Sequence, residues 1–396
     1  MIRLPFSDDS RPANRSVVPC ALATLVLAAC EPDASTNSGT GGEPAVWSVG
    51  QAPATTVGAV DGAPEYLLRD VKEVRLIEDG RVVIADGGTP PIRVYAADGT
   101  YQDGIGGTGE GPGEFLDINR LAIIEPDTMA AYDWRTFRLS RFLVDGSFVS
   151  TEQFIASEGR PEIYIGRFAD GDHAFAWISA GALGSSTVVA DSMQIGRFGP
   201  DGTLERVLHT TTGMRRFGRA PVPFSPYLRA EMVRDSIVFT DGLLPELHVL
   251  GSDGSIARTI PVAIERPDPE AAEQALRAEL QREPDSDSER LMRWTVDDFE
   301  AVPDRDLLPH IATMLVDDRN RLWLKRYRPV TDNLWTGFPG GTGGEWIVIE
   351  PDGAVAATIR LPDGLFLADI RGDRLAGVTR DELEVERVVV YEISKP

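Results

Sequence analysis

The feature that most constrains this chain is a repeated order of turns and strands. Residues 71 to 105, VKEVRLIEDGRVVIADGGTPPIRVYAADGTYQDGI, read as strand, Asp79-Gly80 turn, strand, loop, strand, Asp98-Gly99 turn, strand. Asp-Gly between alternating apolar residues is the strongest short-range hairpin signal. The same order returns with second turns at Asp145-Gly146, Asp201-Gly202, Asp253-Gly254 and Asp352-Gly353, and the turns at 98, 145, 201 and 253 are spaced by 47, 56 and 52 residues. A sixth unit (LADI, Gly372-Asp373, RLAGVT, a loop, RVVVYEI) lacks its outer strand, and Pro53–Val60 (PATTVGAV) is the natural donor. Repeated four-stranded units whose first and last strands pair close into a ring without exposed edges. The expectation is an all-β, six-bladed β-propeller of four-stranded antiparallel blades. An irregular sandwich or a pair of small barrels leaves six copies of one turn order unexplained.

One stretch breaks the β pattern. Asp268 and Pro269 stand at the N-cap and first-turn positions of an Ala/Glu/Leu/Arg run, and Ser286-x-x-Glu289 is a capping box ahead of Leu291. Residues 268–300 therefore read as a short helical insertion between blades four and five.

The N-terminus carries Arg3, Arg11 and Arg15, then an apolar stretch from Val17 to Ala29 that ends in Leu27-Ala28-Ala29-Cys30. This is the plan of a secretory signal peptide, too short to span a bilayer, which needs about 20 apolar residues. Its last four residues resemble the bacterial lipobox, which implies that Cys30 is lipidated and becomes the mature N-terminus. The expected domains are a signal peptide over 1–29, lipidated Cys30 with a flexible tether over 30–52, and the propeller over 53–396. The expected location is the cell envelope, lipid-anchored on the extracytoplasmic side of a bacterial membrane. Formal net charge is −23. So acidic a surface repels phosphate backbones and excludes nucleic acid as a partner.

The run DGRVVIADGGTPPIRVYAADG, followed by GGTGEGPGEF, resembles NHL-type repeats and is similar to the six-bladed propeller lipoproteins of bacterial envelopes, most of unknown function; Gly109–Phe115 is its most specific part. The resemblance implies fold and compartment, not activity. The stretch Gly104–Gly109 also fits G-x-G-x-x-G, but no helix follows to receive a pyrophosphate, so it reads as a crossing between blades.

In such a ring the Asp-Gly turns lie on one face, while the blade crossings and the loops between second and third strands lie on the other. The second set is long here: Asp103–Phe115, Ser179–Asp191, Thr210–Tyr227, the helical insertion and Arg326–Glu345. Function concentrates on such loops. They place Arg215, Arg216 and Arg219 near Tyr227, and Lys325, Arg326 and Arg328 near Tyr327 and Trp335. Guanidinium forks bind carboxylate or phosphate, and aromatic faces stack on sugars or cations. The candidate binding set is Arg215, Arg216, Arg219, Tyr227, Arg326, Tyr327 and Trp335; the plainer alternative is that the arginines balance local carboxylates and the aromatics fill the core. Asp86, Asp133 and Asp241 each follow a second strand. They read either as Ca²⁺ ligands or, as repetition favours, as caps of their own loops.

No catalytic residue, metal ligand or cofactor is assigned. The expected role is a monomeric binding or scaffold module for a protein or glycan partner in the envelope. A rival is a Ca²⁺-dependent lactonase- or hydrolase-like propeller. Gluconolactonases and paraoxonases carry Glu, Asn and Asp ligands on their inner strands, where this chain offers only Asn119, Arg120 and Glu231. A third reading is a small-molecule binder gated by the 268–300 helices.

Overall fold

The computed structural model describes residues 43–125, 127–155, 161–179, 187–217, 220–225, 227–282, 296–301, 308–330, 332 and 343–396. Five antiparallel blades form within the chain order, each four-stranded except that a short fifth strand, Ala220–Pro221, extends blade three. Their inner strands are Glu73–Leu76, Ile118–Glu125, Ile163–Arg167, Arg229–Val233 and Ile311–Val316. Blade six runs from Phe366–Arg371 through Arg374–Arg380 and Glu386–Ser394, and its outer strand is Thr55–Val57, paired antiparallel with Val388–Val390. Each inner strand contacts the inner strands of both neighbouring blades, blade six touching blade one, so the ring is complete. Apolar side chains between adjacent blades form the core. Val57, Val74, Leu76, Val388 and Val390 join blade six to blade one, and Phe154, Phe175, Trp177 and Phe198 help join blade two to blade three.

The Asp-Gly turns form as the repeat requires. At each second turn an aspartate accepts the backbone N–H two residues on: Asp98 from Thr100, Asp145 from Ser147, Asp201 from Thr203, Asp253 from Ser255 and Asp352 from Ala354. Glycine is required most strictly at Gly202. Its φ is +77°, and a Cβ there would stand 1.8 Å from the Gln153 carbonyl oxygen of the neighbouring blade.

Two boundaries differ from the sequence reading. Residues 45–49, expected in the tether, form a strand. Ala45–Trp47 pair in parallel with the outer strand of blade five (Ala357–Ile359), and Ser48 and Val49 pair antiparallel with Ser394 and Ile393 of blade six. The cause is Trp47, which packs against Trp323 with ring centroids 5.8 Å apart beneath the cationic groups of Arg321 and Lys395. In blade three, much of the predicted loops is instead a hairpin of long strands, Val188–Phe198 and Leu204–Phe217, whose pairing continues to Val188↔Phe217. Helix α1 covers Pro269–Gln281 as expected, with the Asp268 carboxylate capping Ala271 N–H at 2.8 Å. A second helix, α2, covers Val296–Ala301; the Ser286–Glu289 box lies outside the described residues.

Val57 is 1% exposed and Val46 is 72% exposed. Replacing Val57 by Asp puts a charge into the closure seam and is expected to cost about 3 kcal/mol or more, against less than about 0.5 kcal/mol for Val46→Asp, both read from denaturant unfolding. The turn aspartates supply a pH-dependent part of stability. Hydrogen bonds from Ser255 and from Thr100 hold the Asp253 and Asp98 carboxyls below the usual aspartate value. Their stabilisation is present above the unfolded-state pKa and vanishes as pH falls through the lower folded value. Asp253→Ala is therefore expected to lower the melting temperature at neutral pH and to leave it unchanged in strong acid.

Candidate functional site

The six inner strands surround a cavity of about 560 Å³ in the channel. Its outer lining comes from Asp70, Lys72, Asp117, Trp134, Tyr227 and Arg380, residues before inner strands or at the ends of second strands. The cavity therefore opens on the long-loop face.

Alternation along the strands decides which groups enter it. Glu73 and Arg75 stand two apart on blade one, as do Arg229 and Glu231 on blade four, so each pair shares one face. Arg75 lies 2.8 Å from Glu73 and 4.0 Å from Asp369. Arg120 of blade two reaches Glu231 of blade four at 2.5 Å and lies 3.9 Å from Glu73. Burial pushes the Glu73 carboxyl up against the opposing pull of Arg75 and Arg120, and burial likewise raises Asp369.

Backbone irregularities supply further acceptors. Blades two, three, five and six carry extra residues in the inner strand, at Asn119 and Ile124, Ile165, Ala312 and Ala368 respectively, whereas blades one and four pair without interruption. Arg75 of blade one donates Nη1–H to the Ala368 carbonyl at 2.9 Å and Nε–H to Leu121 O at 2.9 Å. Arg229 of blade four donates Nε–H to the Ala312 carbonyl at 3.1 Å. Arginines from the regular blades thus bond bulge carbonyls on the next blade.

The residues singled out from sequence separate. Tyr227 lines the cavity, with the Arg229 guanidinium over its ring at 4.5 Å. Tyr327 is buried with Phe224, Ala272, Leu276 and Phe299, under the helical insertion. Arg215 and Arg216 lie on the extended outer strand of blade three, and Arg216 Nε is bonded to Asp191 at 2.6 Å. Arg326 stands between Glu265 at 3.8 Å and Glu345 at 3.5 Å. Lys325 is wholly buried on Asp332, and burial pulls its ammonium down to about 8. Arg219, Trp335 and Cys30 lie outside the described residues.

Asp86, Asp133 and Asp241 cap their own loops. Asp86 accepts from Arg69 and Gly88 N–H, Asp133 from Leu116, Arg135 and Thr136 N–H, and Asp241 from Leu243 N–H. Calcium takes about six to eight oxygens. Among the described residues no three His, Cys, Asp or Glu side chains converge as ligands, and Glu73 and Glu231 are turned to guanidinium groups.

On the inner strands the sequence singles out Asn119, Arg120 and Glu231 but not Glu73, Arg75 and Arg229. The available signal was charge at period two within strands otherwise apolar.

Residues 63–157 match the family model DUF5128, described as a 6-bladed beta-propeller. The chain is a six-bladed β-propeller. Solved structures similar to it include a protein of Bacteroides fragilis (10% identity, covering 89% of this chain and 96% of that one, TM-score 0.47). Others are a duf4221 family member from Bacteroides vulgatus (10%, 89% and 100%, TM-score 0.45) and virginiamycin B lyase from Staphylococcus aureus (10%, 88% and 99%, TM-score 0.42). No curated protein matches the chain. Among the described residues no helix of this propeller is long and apolar enough to cross a membrane.

Removing one partner of the Arg120–Glu231 pair leaves a charge stranded in the channel. Arg120→Ala is expected to cost about 2 kcal/mol or more in denaturant unfolding, and Arg120→Met with Glu231→Leu is expected to recover most of that loss.

Proposed function

We propose that this propeller is a binding module, held on the outer side of a bacterial membrane by a lipid on Cys30. It engages a protein or glycan partner of the envelope with its long-loop face and takes a projecting group of that partner into the channel mouth. The observation that carries this reading is the cavity of about 560 Å³, walled by all six blades and open on that face. Concave sites with aromatic walls and a few converging polar groups are where propellers and other rigid scaffolds hold ligands. Trp134, Tyr164, Tyr227 and Phe366 supply the aromatic surface, and Arg75, Arg120 and Arg229 supply the polar groups.

The electrostatics favour binding over chemistry. The channel carboxylates Glu73 and Glu231 are matched to guanidinium groups, an arrangement that fixes charge in place and leaves neither poised beside a nucleophile. The arginines of blades one and four also tie neighbouring blades together, and Arg120 of blade two reaches across to blade four, so the mouth is held in shape before a partner arrives.

A photoreactive residue substituted at Trp134, on the channel rim, is expected to crosslink the full chain to a discrete envelope component. The same residue at Asp98, on the Asp-Gly face, is expected not to. Equal labelling from both faces, or none from Trp134, would refute the reading. Cys30→Ser is expected to move the protein from the membrane fraction to the soluble extracytoplasmic fraction.

A further inference from the structure

The cations that reach the channel are not equivalent. Lys72 is paired with Asp70 at 2.7 Å and Asp117 at 3.5 Å, Arg75 with Glu73, Arg120 with Glu231, and Arg380 with Glu386 at 2.9 Å. Arg229 differs. Among the described residues no carboxylate lies within ion-pairing distance of it, since Glu231, two positions along the same strand, is turned to Arg120. Its Nε–H is bonded to the Ala312 carbonyl, and its guanidinium plane lies 4.5 Å over Tyr227. Among the described residues, that leaves the terminal Nη groups without an acceptor, at the wall of the cavity.

A buried guanidinium stays charged, and one without a counter-ion is costly to keep. Here the cost is borne by a side chain fixed at two points on the wall of the cavity. A carboxylate matches a guanidinium edge, because its two oxygens accept two parallel N–H bonds.

We propose that Arg229 anchors a carboxylate-binding site in the channel mouth, and that the group this module receives is an organic acid. Tyr227 holds the guanidinium plane, and Thr313 and Met314, which follow Ala312 on the strand that fixes Nε, line the wall beside it. A free inorganic anion would satisfy the charge alone, whereas an organic acid also covers the apolar wall. The assignment rests on reading the channel mouth as the binding surface. Two sources carry such an acid, an acidic sugar and a peptide C-terminus, which share the carboxylate and differ in what is attached to it.

The test is calorimetric titration of the full chain, purified in detergent, with D-glucuronate against D-glucose and with N-acetylphenylalanine against its amide. At least one acid is expected to bind about tenfold or more tighter than its neutral partner, the strength of a charge-assisted hydrogen bond. Glucuronate alone would mark the sugar acid, and the amino acid alone the peptide terminus. Arg229→Gln is expected to abolish the preference for acid while the unfolding midpoint stays near that of the unaltered chain; Arg229→Lys, with charge but no fork, is expected to restore part of it. Equal binding of acid and neutral partner, no binding of either acid, or an undiminished preference in folded Arg229→Gln would overturn the proposal. The comparison on the unaltered chain decides the matter even if the variant does not fold. Crosslinking from Trp134 in a chain that binds no acid would refute the carboxylate and leave the docking face standing.

Discussion

Everything in this molecule depends on closing the ring. Blade six contributes three consecutive strands near the C-terminus, and its fourth, Thr55–Val57, comes from more than three hundred residues away. Without it the strand Glu386–Ser394 would present an open edge, and the apolar surfaces of blades six and one would lose Val57 from the cluster that joins them. The closure is doubled. Residues 45–49 lie along the outer strand of blade five and then cross to the end of blade six, so the N-terminal segment seals two adjacent blades. A channel with walls of fixed spacing follows from that closure, because an inner strand can face a defined partner across the axis only when the ring cannot open.

The fold was legible because its determinants are local. An aspartate that caps the N–H two residues on, followed by a glycine free to take positive φ, specifies a hairpin within four residues. Repetition then carried the rest, including the donor strand, which alternates in the same way. The strand at 45–49 was hidden for the opposite reason. It is five residues long, follows a polar run and finds its partners near residues 357 and 394, so nothing local distinguishes it except a lone tryptophan. The long hairpin of blade three escaped notice because its extension, including His209–Gly213, is polar enough to read as loop.

The site was legible only in part, and the physical reason is geometric. On an inner strand, charges at alternate positions point toward the channel, but the same pattern in a sequence describes any strand with one face in water. Glu73 with Arg75 and Arg229 with Glu231 carry no mark that separates the two cases. The loop arginines stood out because they cluster in the sequence, yet Arg216 and Arg326 are balanced by nearby acids in space. Tyr227 survived that separation because it lies one residue before Leu228, at the entrance to the inner strand of blade four, where loop and channel wall meet.

The distribution of bulges gives the channel its asymmetry. An inner strand pairs on one edge only, so some of its carbonyls stay free for a channel arginine even where pairing is regular, as the Leu121 carbonyl does for Arg75. One extra residue at Ala312 and one at Ala368 release carbonyls toward the neighbouring blade, and Arg229 and Arg75 accept that offer. The consequences differ because of what remains on each guanidinium. Arg75 also meets Glu73 and the Leu121 carbonyl, so its role is structural. Arg229 is fixed through Nε and one ring face only, so it is oriented without being neutralised. A cation held rigid by a backbone acceptor keeps its charge for a ligand, which a cation held by a carboxylate does not. In a chain of net charge −23, that is an economical way to build one positive point inside an otherwise acidic protein.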